Sequence, residues 1–535
     1  MTHLIQGNRV YIKVPYDQKE VIKQIPGWRW NPKQKLWSIP YDEDTVVLAN
    51  SLLGISLPQP VISRIEDSDR IPATDLVLKN LYKHQKESVQ VARKTKYFAD
   101  LSEPGTGKTL VQIELMLERN DWPVLVICPK SIMEPVWEKQ LDECKLTGII
   151  LNEGSAKVKK VLNTTMDCWA DNECHEIFWN QRIYIINYEM VPRVLDELMQ
   201  IKWKAIILDE STRIKSPNAQ RSKAIMKLRD MVSYRSIMTG TLAPNGLQDA
   251  FNQYKFVQPN IFGEVFYAFR HRYFTQGGYL NYEWFPKPEA LDVFKRKAAG
   301  VSIQHHKREC IDLPPLVEEI RKVEMLSKQK EVYEQMKNEC IVWLNENNAV
   351  TAPFVITKLM KLRQIASGFI YMNEKSFPIS NSNPKDAAMF EILDQIGDKK
   401  CIVFAHFNRT IEHIREKLNG KSIAYFGSEK SVALEVFEHK KTNPRACQIL
   451  IANPASAGHG LNLQFCSNII YYEQDFNLEN YIQSMQRIER IGQKNKMTVY
   501  HLLTKGTVEN YIYKKLKQKE DVNRKLDINE LKGAL

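Results

Sequence analysis

The chain has 535 residues, of which 43% are hydrophobic, so it holds enough apolar material for roughly three or four domain cores. Lysine and arginine outnumber aspartate and glutamate by 75 to 63, and the net charge of +12 favours a polyanionic partner, nucleic acid before membrane. No apolar run approaches the ~18 residues of a membrane span, and the first residues do not resemble a signal peptide. Membrane and secreted classes are therefore disfavoured, and a cytoplasmic protein is expected.

The first 60 residues predict a small unit with alternating apolar and polar positions. We expect a strand at residues 10–14, a short helix at 19–25 and a hairpin over 26–40. Three tryptophans alternate with basic residues in the hairpin, namely Trp28, Trp30 and Trp37. Aromatic rings beside cations could stack nucleic-acid bases. The same rings could equally form the core of a tiny domain.

Between residues 75 and 260, short apolar runs alternate with helical patterns, which is typical of a parallel sheet with crossover helices. The runs are almost continuously apolar, as expected for strands buried on both faces. Functional side chains should therefore follow the C-terminal ends of these strands. The predicted strands are residues 97–101, 124–128, 183–186, 205–208 and 236–238.

A glycine-rich stretch, Ser-Glu-Pro-Gly-Thr-Gly-Lys-Thr, fills residues 102–109 between the first of these strands and a helical pattern. Gly105 and Gly107 would let backbone N–H groups wrap a phosphate at the positive end of that helix. Lys108 can reach the outer phosphates, and the Thr109 hydroxyl can ligate magnesium. Serine stands at the first position, where the usual pattern has glycine. This stretch alone therefore does not separate a nucleotide site from a glycine turn before a core helix.

The apolar run at residues 205–208 ends in two carboxylates, Asp209 and Glu210. Asp209 is placed to hold magnesium, directly or through water, and Glu210 to orient or deprotonate an attacking water. An acidic pair after a strand is common by chance. A pair about a hundred residues after a phosphate cradle, in the same alternating pattern, is much less so. Together the two motifs indicate a nucleoside triphosphatase.

Two other segments of the first half do not fit this pattern. Residues 259–310 are dense in aromatic and basic side chains, and we interpret them as an insertion with its own small core; a nucleic-acid groove is the less favoured alternative. Cys168, Cys174 and His175 cluster without a convincing second pair of zinc ligands nearby, so a surface loop is favoured over a metal site.

The second half predicts another alternating block, without a second phosphate cradle. Helices are predicted at residues 328–345 and 354–366, and strands at 401–405, 423–425, 448–452, 469–472 and 498–502. Arg487 and Arg490 lie three residues apart, which predicts that they share one face of a helix. Two guanidinium groups could reach a phosphate across a cleft and stabilise the charge of phosphoryl transfer. An exposed basic helix face is the alternative.

In this order, the motifs resemble those of the Swi/Snf-type ATPases of helicase superfamily two, over roughly residues 75–515. Leu81-Tyr-Lys-His-Gln85 resembles the family's nucleotide-sensing motif, residues 102–109 resemble motif I, and residues 209–212 resemble the Asp-Glu-Ala-His box. Residues 483–493 resemble motif VI, with its Arg-Ile-Gly-Gln ending. The resemblance implies two RecA-like doubly wound lobes with ATP and Mg²⁺ as cofactors. The implied catalytic residues are Lys108, Glu210, Arg487 and Arg490, with magnesium on Thr109 and Asp209. The implied ATP-binding residues are Gln85, Gly105, Thr106, Gly107, Lys108, Thr109 and Gly460.

Five further stretches resemble motifs Ia, Ib, III, IV and V of the same family. They are Cys128-Pro-Lys-Ser131 with Trp137, Asn187-Tyr188, Thr239-Gly-Thr241 with Asn245, Phe404-Ala-His406, and Gly458-His-Gly-Leu-Asn462. In the family, motif Ia touches the DNA backbone. The nucleic-acid contacts implied here are Lys130, Ser131, Asn187, Thr241, His406 and Asn462.

The aromatic segment, with Phe269-Arg-His-Arg-Tyr273, also resembles the helical protrusion of the HARP (annealing helicase) subgroup. The tryptophan-rich unit resembles HARP-type or UvsW-type accessory modules. The chain departs from the family at Thr212, which replaces the histidine of the box, and at Glu473, Phe476 and Leu478, which replace Asp, Trp and Pro before motif VI. None of these departures removes a group that hydrolysis needs.

The resemblance implies an ATP-dependent motor that translocates on duplex DNA and remodels forked or branched DNA, including reannealing and branch migration. A helicase that separates DNA or RNA strands, or a nucleic-acid-binding scaffold whose ATPase has decayed, are the alternatives. We expect a monomer of phage or bacterial origin. The expected domains are an accessory module (1–60), a linker (61–74), a first ATPase lobe (75–258), a helical insertion and hinge (259–312), a second lobe with its own helical insertion (313–515), and a C-terminal helix or tail (516–535).

Overall fold

The structure is a computed structural model, and it describes residues 3–6, 9–25, 27–32, 34–58, 76–120, 122–170, 181–277, 283–310, 312–346, 352–372, 375–425, 430–438, 447–457, 463–490 and 492–525. The chain forms two compact units, one within residues 1–310 and one within residues 311–521. The predicted linker at 61–74 and the end of the predicted tail lie outside the described residues. None of the helices within these ranges is long and apolar enough to cross a bilayer.

The N-terminal residues form a four-stranded antiparallel sheet with the strand order β1-β2-β4-β3. The strands are β1 (His3–Gln6), β2 (Arg9–Ile12), β3 (Arg29–Asn31) and β4 (Leu36–Pro40), and the helices of this unit are Lys19–Ile22 and Glu43–Leu53. The predicted strand, helix and hairpin are therefore confirmed. Asp42 begins the second helix, because its carboxylate accepts the Thr45 N–H at 2.9 Å.

The three tryptophans of the hairpin divide between core and surface. Trp37 is buried among the apolar side chains of this small unit. Trp28 and Trp30 are 38% and 44% exposed, with ring centroids 5.3 Å and 4.9 Å from that of Trp37. One ring therefore belongs to the core, while the other two cover it and keep a face toward solvent.

The first large sheet is parallel throughout, with the strand order β13-β5-β10-β9-β6-β8-β7. Its strands are β5 (Tyr97–Asp100), β6 (Val124–Cys128), β7 (Thr147–Leu151), β8 (Gln181–Asn187), β9 (Ala205–Asp209), β10 (Tyr234–Met238) and β13 (Ser302–Ile303). The helices beside it are Lys83–Ala92, Lys108–Arg119, Lys139–Glu143, Ser155–Ala170, Leu195–Gln200, Gln220–Arg229 and Ala250–Val257. Every residue of β6 and β9 is buried, which explains their unbroken apolar runs.

The aromatic segment after residue 258 differs from the prediction, because it has no core of its own. Phe262, Phe269 and Phe294 are buried in the same hydrophobic cluster as Ile206 of β9. The ring of Phe251, on the helix that follows β10, lies 4.9 Å from the ring of Phe269 and continues that cluster outward. The segment contains the helices Phe266–Tyr273, Ala290–Ala298 and Lys307–Cys310, the hairpin β11 (Phe274–Gly277) and β12 (Glu283–Pro286), and the edge strand β13. The sheet thus continues beyond the boundary expected at residue 258.

The N-terminal unit packs on this aromatic segment. The Lys297 ammonium lies 3.2 Å from the Glu43 carboxylate. A Cβ atom on Gly263 would lie 3.2 Å from an Asp42 carboxylate oxygen, so the Asp42 side chain lies close to the Gly263 backbone. The small sheet is therefore attached to the first lobe through charged and close-packed contacts.

The second unit is built on a parallel sheet with the strand order β14-β21-β20-β17-β19-β18. Its strands are β14 (Leu316–Val323), β17 (Cys401–Phe404), β18 (Ser422–Tyr425), β19 (Ile449–Ala452), β20 (Asn468–Tyr471) and β21 (Met497–Thr504), and a separate hairpin pairs β15 (Phe369–Met372) with β16 (Lys375–Pro378). Its helices are Ser327–Glu346, Ala352–Ala366, Pro384–Ile396, Asn408–Leu418, Lys430–Glu438, Pro454–Ala457, Leu478–Met485 and Val508–Lys525. Two parallel sheets flanked by helices are the predicted pair of RecA-like lobes.

Candidate active site

The glycine-rich stretch 102–109, the predicted phosphate loop, lies between β5 and the helix Lys108–Arg119, as expected. Gly105 and Gly107 have φ angles of +88° and +82°, which side chains rarely adopt. The Lys108 ammonium donates to the carbonyl oxygens of Ser102 at 2.6 Å and Glu103 at 3.2 Å. The loop backbone therefore wraps around the Lys108 head group.

Gln85 is buried against the phosphate loop. Its side-chain oxygen accepts the Tyr82 N–H at 2.8 Å and so caps the helix Lys83–Ala92, while its amide donates to the Thr106 carbonyl at 3.1 Å. His84 Nε2 lies 2.8 Å from the same carbonyl. The predicted contact of Gln85 with adenine stays a prediction, because the described contacts of this amide are with the loop itself.

Ser102, the first residue of the loop, has a structural role. Its hydroxyl accepts the His305 N–H at 3.1 Å, and the Glu103 N–H donates to the His305 carbonyl at 3.0 Å. The Glu103 carboxylate in turn accepts the Lys307 N–H at 3.0 Å and lies 3.3 Å from His306 Nδ1. Residues 305–307 thus continue the β13–β5 ladder along the loop.

Burial alone would raise the pKa of Glu103, but the His306 ring and the Lys307 N–H outweigh it and hold that pKa below its usual value. Lys307 is buried, and its Cε atom lies 3.4 Å from where a Gly105 Cβ would be. The sequence motifs do not predict this segment, because it lies about 200 residues from the loop in sequence. The signal that could have found it is the short alternating stretch Val-Ser-Ile at 301–303, one residue before His-His-Lys at 305–307.

Asp209 ends β9 and is almost fully buried. One carboxylate oxygen accepts the Trp137 indole N–H at 2.9 Å, and the Asp209 backbone carbonyl accepts the Tyr188 hydroxyl at 2.9 Å. Burial raises the pKa of Asp209, the Trp137 hydrogen bond and the Lys108 charge oppose that rise, and the nearby carboxylate of Asp100 adds to it. The pKa of Asp209 therefore depends on both the charge of Lys108 and the buried carboxylate of Asp100.

Glu210 follows in the left-handed region, with φ +56°, and begins the 3-10 turn Ser211–Ile214. This unusual backbone turns the second carboxylate away from the strand direction and leaves it half-buried. Thr212, which replaces the family's histidine, is buried, and Ser211 donates its hydroxyl to Gln253 at 2.7 Å. The turn after the acidic pair is thereby tied to the helix that follows β10.

The stretch that resembles motif III contacts the phosphate loop directly. A Cβ atom on Gly240 would lie 2.2 Å from Pro104 Cδ, and the Thr239 N–H donates to the Asp100 carbonyl at 3.1 Å. Thr241 is buried, and its N–H donates to the Thr239 hydroxyl at 3.1 Å. Only glycine allows this approach of the turn after β10 to the loop after β5.

The predicted nucleic-acid contacts of the first lobe share the sheet edge with Asp209. Lys130 and Ser131 follow β6 and are exposed. Asn187 ends β8, and its side-chain oxygen is used internally, because it accepts the Met190 N–H at 2.9 Å. Lys130 and Ser131 are therefore accessible to a partner, whereas Asn187 and Thr241 are buried and shape their turns.

In the second unit, Arg487 and Arg490 do not lie on one face of a helix, so that prediction is wrong. The α-helix ends at Met485, because the next N–H groups bond three residues back: Arg487 to Ser484 at 3.3 Å, and Ile488 to Met485 at 3.2 Å. Each arginine still donates its Nε to the carbonyl four residues earlier, at 2.8 Å and 3.3 Å. Burial lowers the pKa of Arg490. The turn after the helix therefore anchors both guanidinium groups in the same way.

His406 follows β17, and its N–H donates to the Glu473 carboxylate at 2.7 Å. The same carboxylate accepts the N–H of Phe407 at 3.0 Å and the hydroxyl of Thr410, so it supports the start of the helix Asn408–Leu418. Burial lowers the pKa of His406. Glu473 replaces the family's aspartate and has a structural role of its own.

Several predicted residues lie outside the described residues. Gly460 and Asn462 belong to 458–462, and Cys174 and His175 belong to 171–180. Within the described ranges, no three His, Cys, Asp or Glu side chains come together as a metal-binding group.

Comparison with known proteins gives two family matches and several relatives, most of them longer than the part that matches this chain. The SNF2-related domain matches residues 84–368, and the helicase conserved C-terminal domain matches residues 384–492. The chain is 26% identical over 450 residues to the CHD3-type chromatin-remodeling factor CHR7 of Arabidopsis thaliana; the match covers 78% of this chain but only 34% of the plant protein.

Two other relatives are matched over most of their own length. The putative protein p41 of Acyrthosiphon pisum secondary endosymbiont phage 1 is 25% identical, over 80% of this chain and 93% of the phage protein. A Caenorhabditis elegans homolog of SWI/SNF-related matrix-associated actin-dependent regulator of chromatin subfamily A-like protein 1 is 22% identical, over 96% of this chain and 74% of the nematode protein.

Proposed function

Because this chain belongs to the SNF2-related family of helicase-like ATPases, we propose that it is an ATP-driven motor that translocates on duplex DNA. The observation that supports this most directly is that the phosphate loop and the acidic pair lie at the same edge of one sheet. The phosphate loop follows β5, the acidic pair follows β9, and only β10 separates these strands. Lys108 is near enough to Asp209 for its charge to oppose the effect of burial on the pKa of that carboxyl.

Each residue of the first lobe has a proposed role in ATP turnover. The loop N–H groups and Lys108 bind the phosphates, and Glu210 orients the attacking water and accepts its proton. Thr109 and Asp209 fit a magnesium ion, because the hydroxyl begins the helix after the loop and the buried Asp209 has a second carboxylate, Asp100, beside it. Magnesium bound there would neutralise charge on the nucleotide.

The second unit is proposed to supply positive charge to the same reaction. The Nε–H groups of Arg487 and Arg490 each donate to a backbone carbonyl, and planar guanidinium groups suit bidentate donation to phosphate oxygens. Gln85, at the adenine, and Gly460 complete the proposed ATP-binding set.

The net charge of +12 and the exposed Lys130 and Ser131 support duplex DNA as the track. We assign these two residues to the DNA backbone, together with His406 and Asn462 in the second unit, while Asn187 and Thr241 support the contact loops. Translocation without strand separation is the proposed mode, as the resemblance to Swi/Snf ATPases implies.

Forked or branched DNA is the proposed substrate within that class. Support comes from the N-terminal unit, whose Trp28 and Trp30 keep exposed ring faces and which is seated on the HARP-like aromatic segment. The nematode relative covers almost the whole chain, including this unit. The phage relative supports a phage or bacterial origin. Reannealing and branch migration are the proposed outcomes, carried out by a monomer.

The proposal is tested by the rate of ATP hydrolysis with no nucleic acid and with single-stranded DNA, duplex DNA, forked DNA or RNA. We expect stimulation by duplex DNA, and the strongest by forks. Lys108→Ala and Glu210→Gln should each lower turnover at least about a hundredfold, because they remove the phosphate cation and the catalytic base. DNA binding by both variants should stay close to wild type and weaken steeply with salt.

Other outcomes would decide between the alternatives. Stimulation by RNA or single strands alone, with release of a displaced strand, would indicate a strand-separating helicase instead. DNA binding without any turnover in the wild type would indicate a decayed scaffold. Wild-type turnover in either variant would show that the site assignment is wrong.

A further inference from the structure

Two aromatic side chains from two different loops converge on Asp209. The Trp137 indole N–H donates to Asp209 Oδ2 at 2.9 Å, and the Tyr188 hydroxyl donates to the Asp209 backbone carbonyl at 2.9 Å. Both aromatic residues are completely buried. Asp209 is therefore held at its carboxylate and at its backbone by donors that solvent does not reach.

Each donor belongs to a loop that carries a predicted DNA contact. Trp137 lies on a π-helical turn, Met133–Glu138, which directly follows the 3-10 turn Lys130–Ile132 with its exposed Lys130 and Ser131. Tyr188 follows directly on Asn187 at the end of β8. Single π-helical turns are rare in proteins, and those that occur are often found at functional sites. The strands that lead into these loops, β6 and β8, are neighbours in the sheet, and β6 is also the neighbour of β9.

The packing around Trp137 leaves little freedom between the loop and the carboxylate. Its ring lies in one hydrophobic cluster with Met133 of the same turn, Cys128 of β6 and Ile207 of β9. A displacement of the turn therefore moves the indole with it. A hydrogen bond of 2.9 Å loses most of its strength when the donor moves by several tenths of an ångström or tilts.

We propose that Trp137 and Tyr188 are positioning residues that couple DNA binding to ATP hydrolysis by setting the orientation of Asp209. DNA-backbone contact at Lys130 and Ser131 shifts the turn after β6, the Trp137 indole moves with the turn, and the Asp209 carboxylate is thereby reoriented for the magnesium that Thr109 and Asp209 would hold. This inference rests on the proposed function, since it needs an ATPase that responds to DNA. Neither aromatic residue touches the nucleotide in this scheme.

The test removes each hydrogen bond and keeps an aromatic side chain at each position. Trp137→Phe deletes the indole N–H, and Tyr188→Phe deletes only the hydroxyl. ATP turnover is measured against Mg²⁺ concentration, with and without duplex DNA. In Trp137→Phe we expect the Mg²⁺ concentration for half-maximal turnover to rise about tenfold and the ratio of DNA-stimulated to unstimulated turnover to fall several-fold, as for other residues that orient a metal ligand. Tyr188→Phe should change the Mg²⁺ concentration for half-maximal turnover and the ratio of stimulated to unstimulated turnover in the same directions, but by smaller factors.

Two matched variants make the same chemical change elsewhere in the same lobe. The Trp203 indole donates to the Leu198 carbonyl at 2.8 Å, and the Tyr254 hydroxyl lies 2.8 Å from the Ser302 hydroxyl; both rings are buried. Trp203→Phe and Tyr254→Phe should keep the wild-type Mg²⁺ dependence and DNA stimulation, because neither group touches Asp209. The midpoint of thermal unfolding is measured for all four variants.

The results separate the inference from the proposed function. Wild-type Mg²⁺ dependence in Trp137→Phe and Tyr188→Phe would overturn the inference, as would an equal change in the Trp203 and Tyr254 variants, which would indicate a packing effect. If Trp137→Phe does not fold, Tyr188→Phe decides alone. A wild-type enzyme that hydrolyses ATP without responding to any nucleic acid would instead overturn the proposed function, and with it the coupling.

Discussion

Gly107 is constrained by two independent features of the active site. Its φ angle of +82° lies in the left-handed region, and a Cβ atom there would lie 2.1 Å from the Gln85 amide nitrogen. Gly107→Ala therefore adds the strain of the backbone, about 1 kcal/mol, to the displacement of Gln85 from the loop. We expect the affinity for a fluorescent ATP analogue, measured by titration, to fall at least about tenfold, which corresponds to 1.4 kcal/mol.

Gly54 provides the matched control for this substitution. Its φ angle is +61°, and no atom lies within 4 Å of a Cβ atom built there. Gly54→Ala should lower the unfolding temperature slightly and leave ATP affinity unchanged. Equal ATP affinities for Gly107→Ala and the wild type would show that the loop tolerates a side chain, and that Gln85 does not define its shape.

At the scale of single elements, Glu318 joins the edge strand β14 to its neighbours. Its carboxylate lies 3.2 Å from His501 Nε2 on β21 and accepts from the Lys517 ammonium at 2.8 Å on the last helix. Burial alone would raise the pKa of Glu318, but these two partners lower it to about 2. The edge strand is therefore attached to the second lobe by charge as well as by backbone hydrogen bonds.

A depressed carboxyl pKa stabilises the folded state at pH values above the unfolded pKa, about 4.3, and that stabilisation is lost as the pH falls toward 2. Glu318→Gln should lower the free energy of unfolding at pH 7 by about 2 kcal/mol, less than the full shift implies because the side chain is partly exposed. In urea titrations, the difference between wild type and variant should narrow below about pH 4.

The neighbouring Glu319 serves as the control for this strand. It is paired with Arg321 at 3.2 Å, and both side chains are 42% exposed. Glu319→Gln should change the unfolding free energy at pH 7 by less than about 0.5 kcal/mol. If Glu318→Gln lowers the unfolding free energy at pH 7 no more than Glu319→Gln does, the charged contacts of β14 contribute little to stability.

At the scale of the whole molecule, the proposed reaction draws on both compact units. Arg490 belongs to the second unit and the phosphate loop to the first. Arg490→Ala should therefore leave binding of a fluorescent ATP analogue within about twofold of wild type and lower DNA-stimulated turnover at least about a hundredfold, because its charge is needed in the transition state.

Arg321→Ala is a suitable comparison, since it removes an exposed arginine from the same unit. It should leave both binding and turnover at wild-type values. Normal hydrolysis by Arg490→Ala would mean that the first lobe hydrolyses ATP without this arginine of the second. If Arg490→Ala loses ATP binding as well as turnover, Arg490 contributes to binding ATP itself and not only to the transition state.

Most of the architecture was predictable from the sequence, because it is encoded in local patterns. Apolar runs such as 124–128 and 205–208 are central parallel strands, as predicted, since burial on both faces requires unbroken apolarity. The arginine turn was not predictable, because a three-residue spacing fits both a helix and the tighter turn that follows Met485. The aromatic segment 259–310 was misread, because aromatic density does not tell which core the rings will join.

The sequence by itself determined the phosphate loop, the acidic strand end and the two parallel sheets, since each depends on residues that are adjacent along the chain. Only the tertiary structure decided what surrounds them. The role of Ser102 depends on His305, and the orientation of Asp209 depends on Trp137 and Tyr188. These pairs meet because the strand order places β13 beside β5, β9 beside β6 and β6 beside β8. Strand order follows from how whole helices and strands pack, and no local stretch of sequence encodes it.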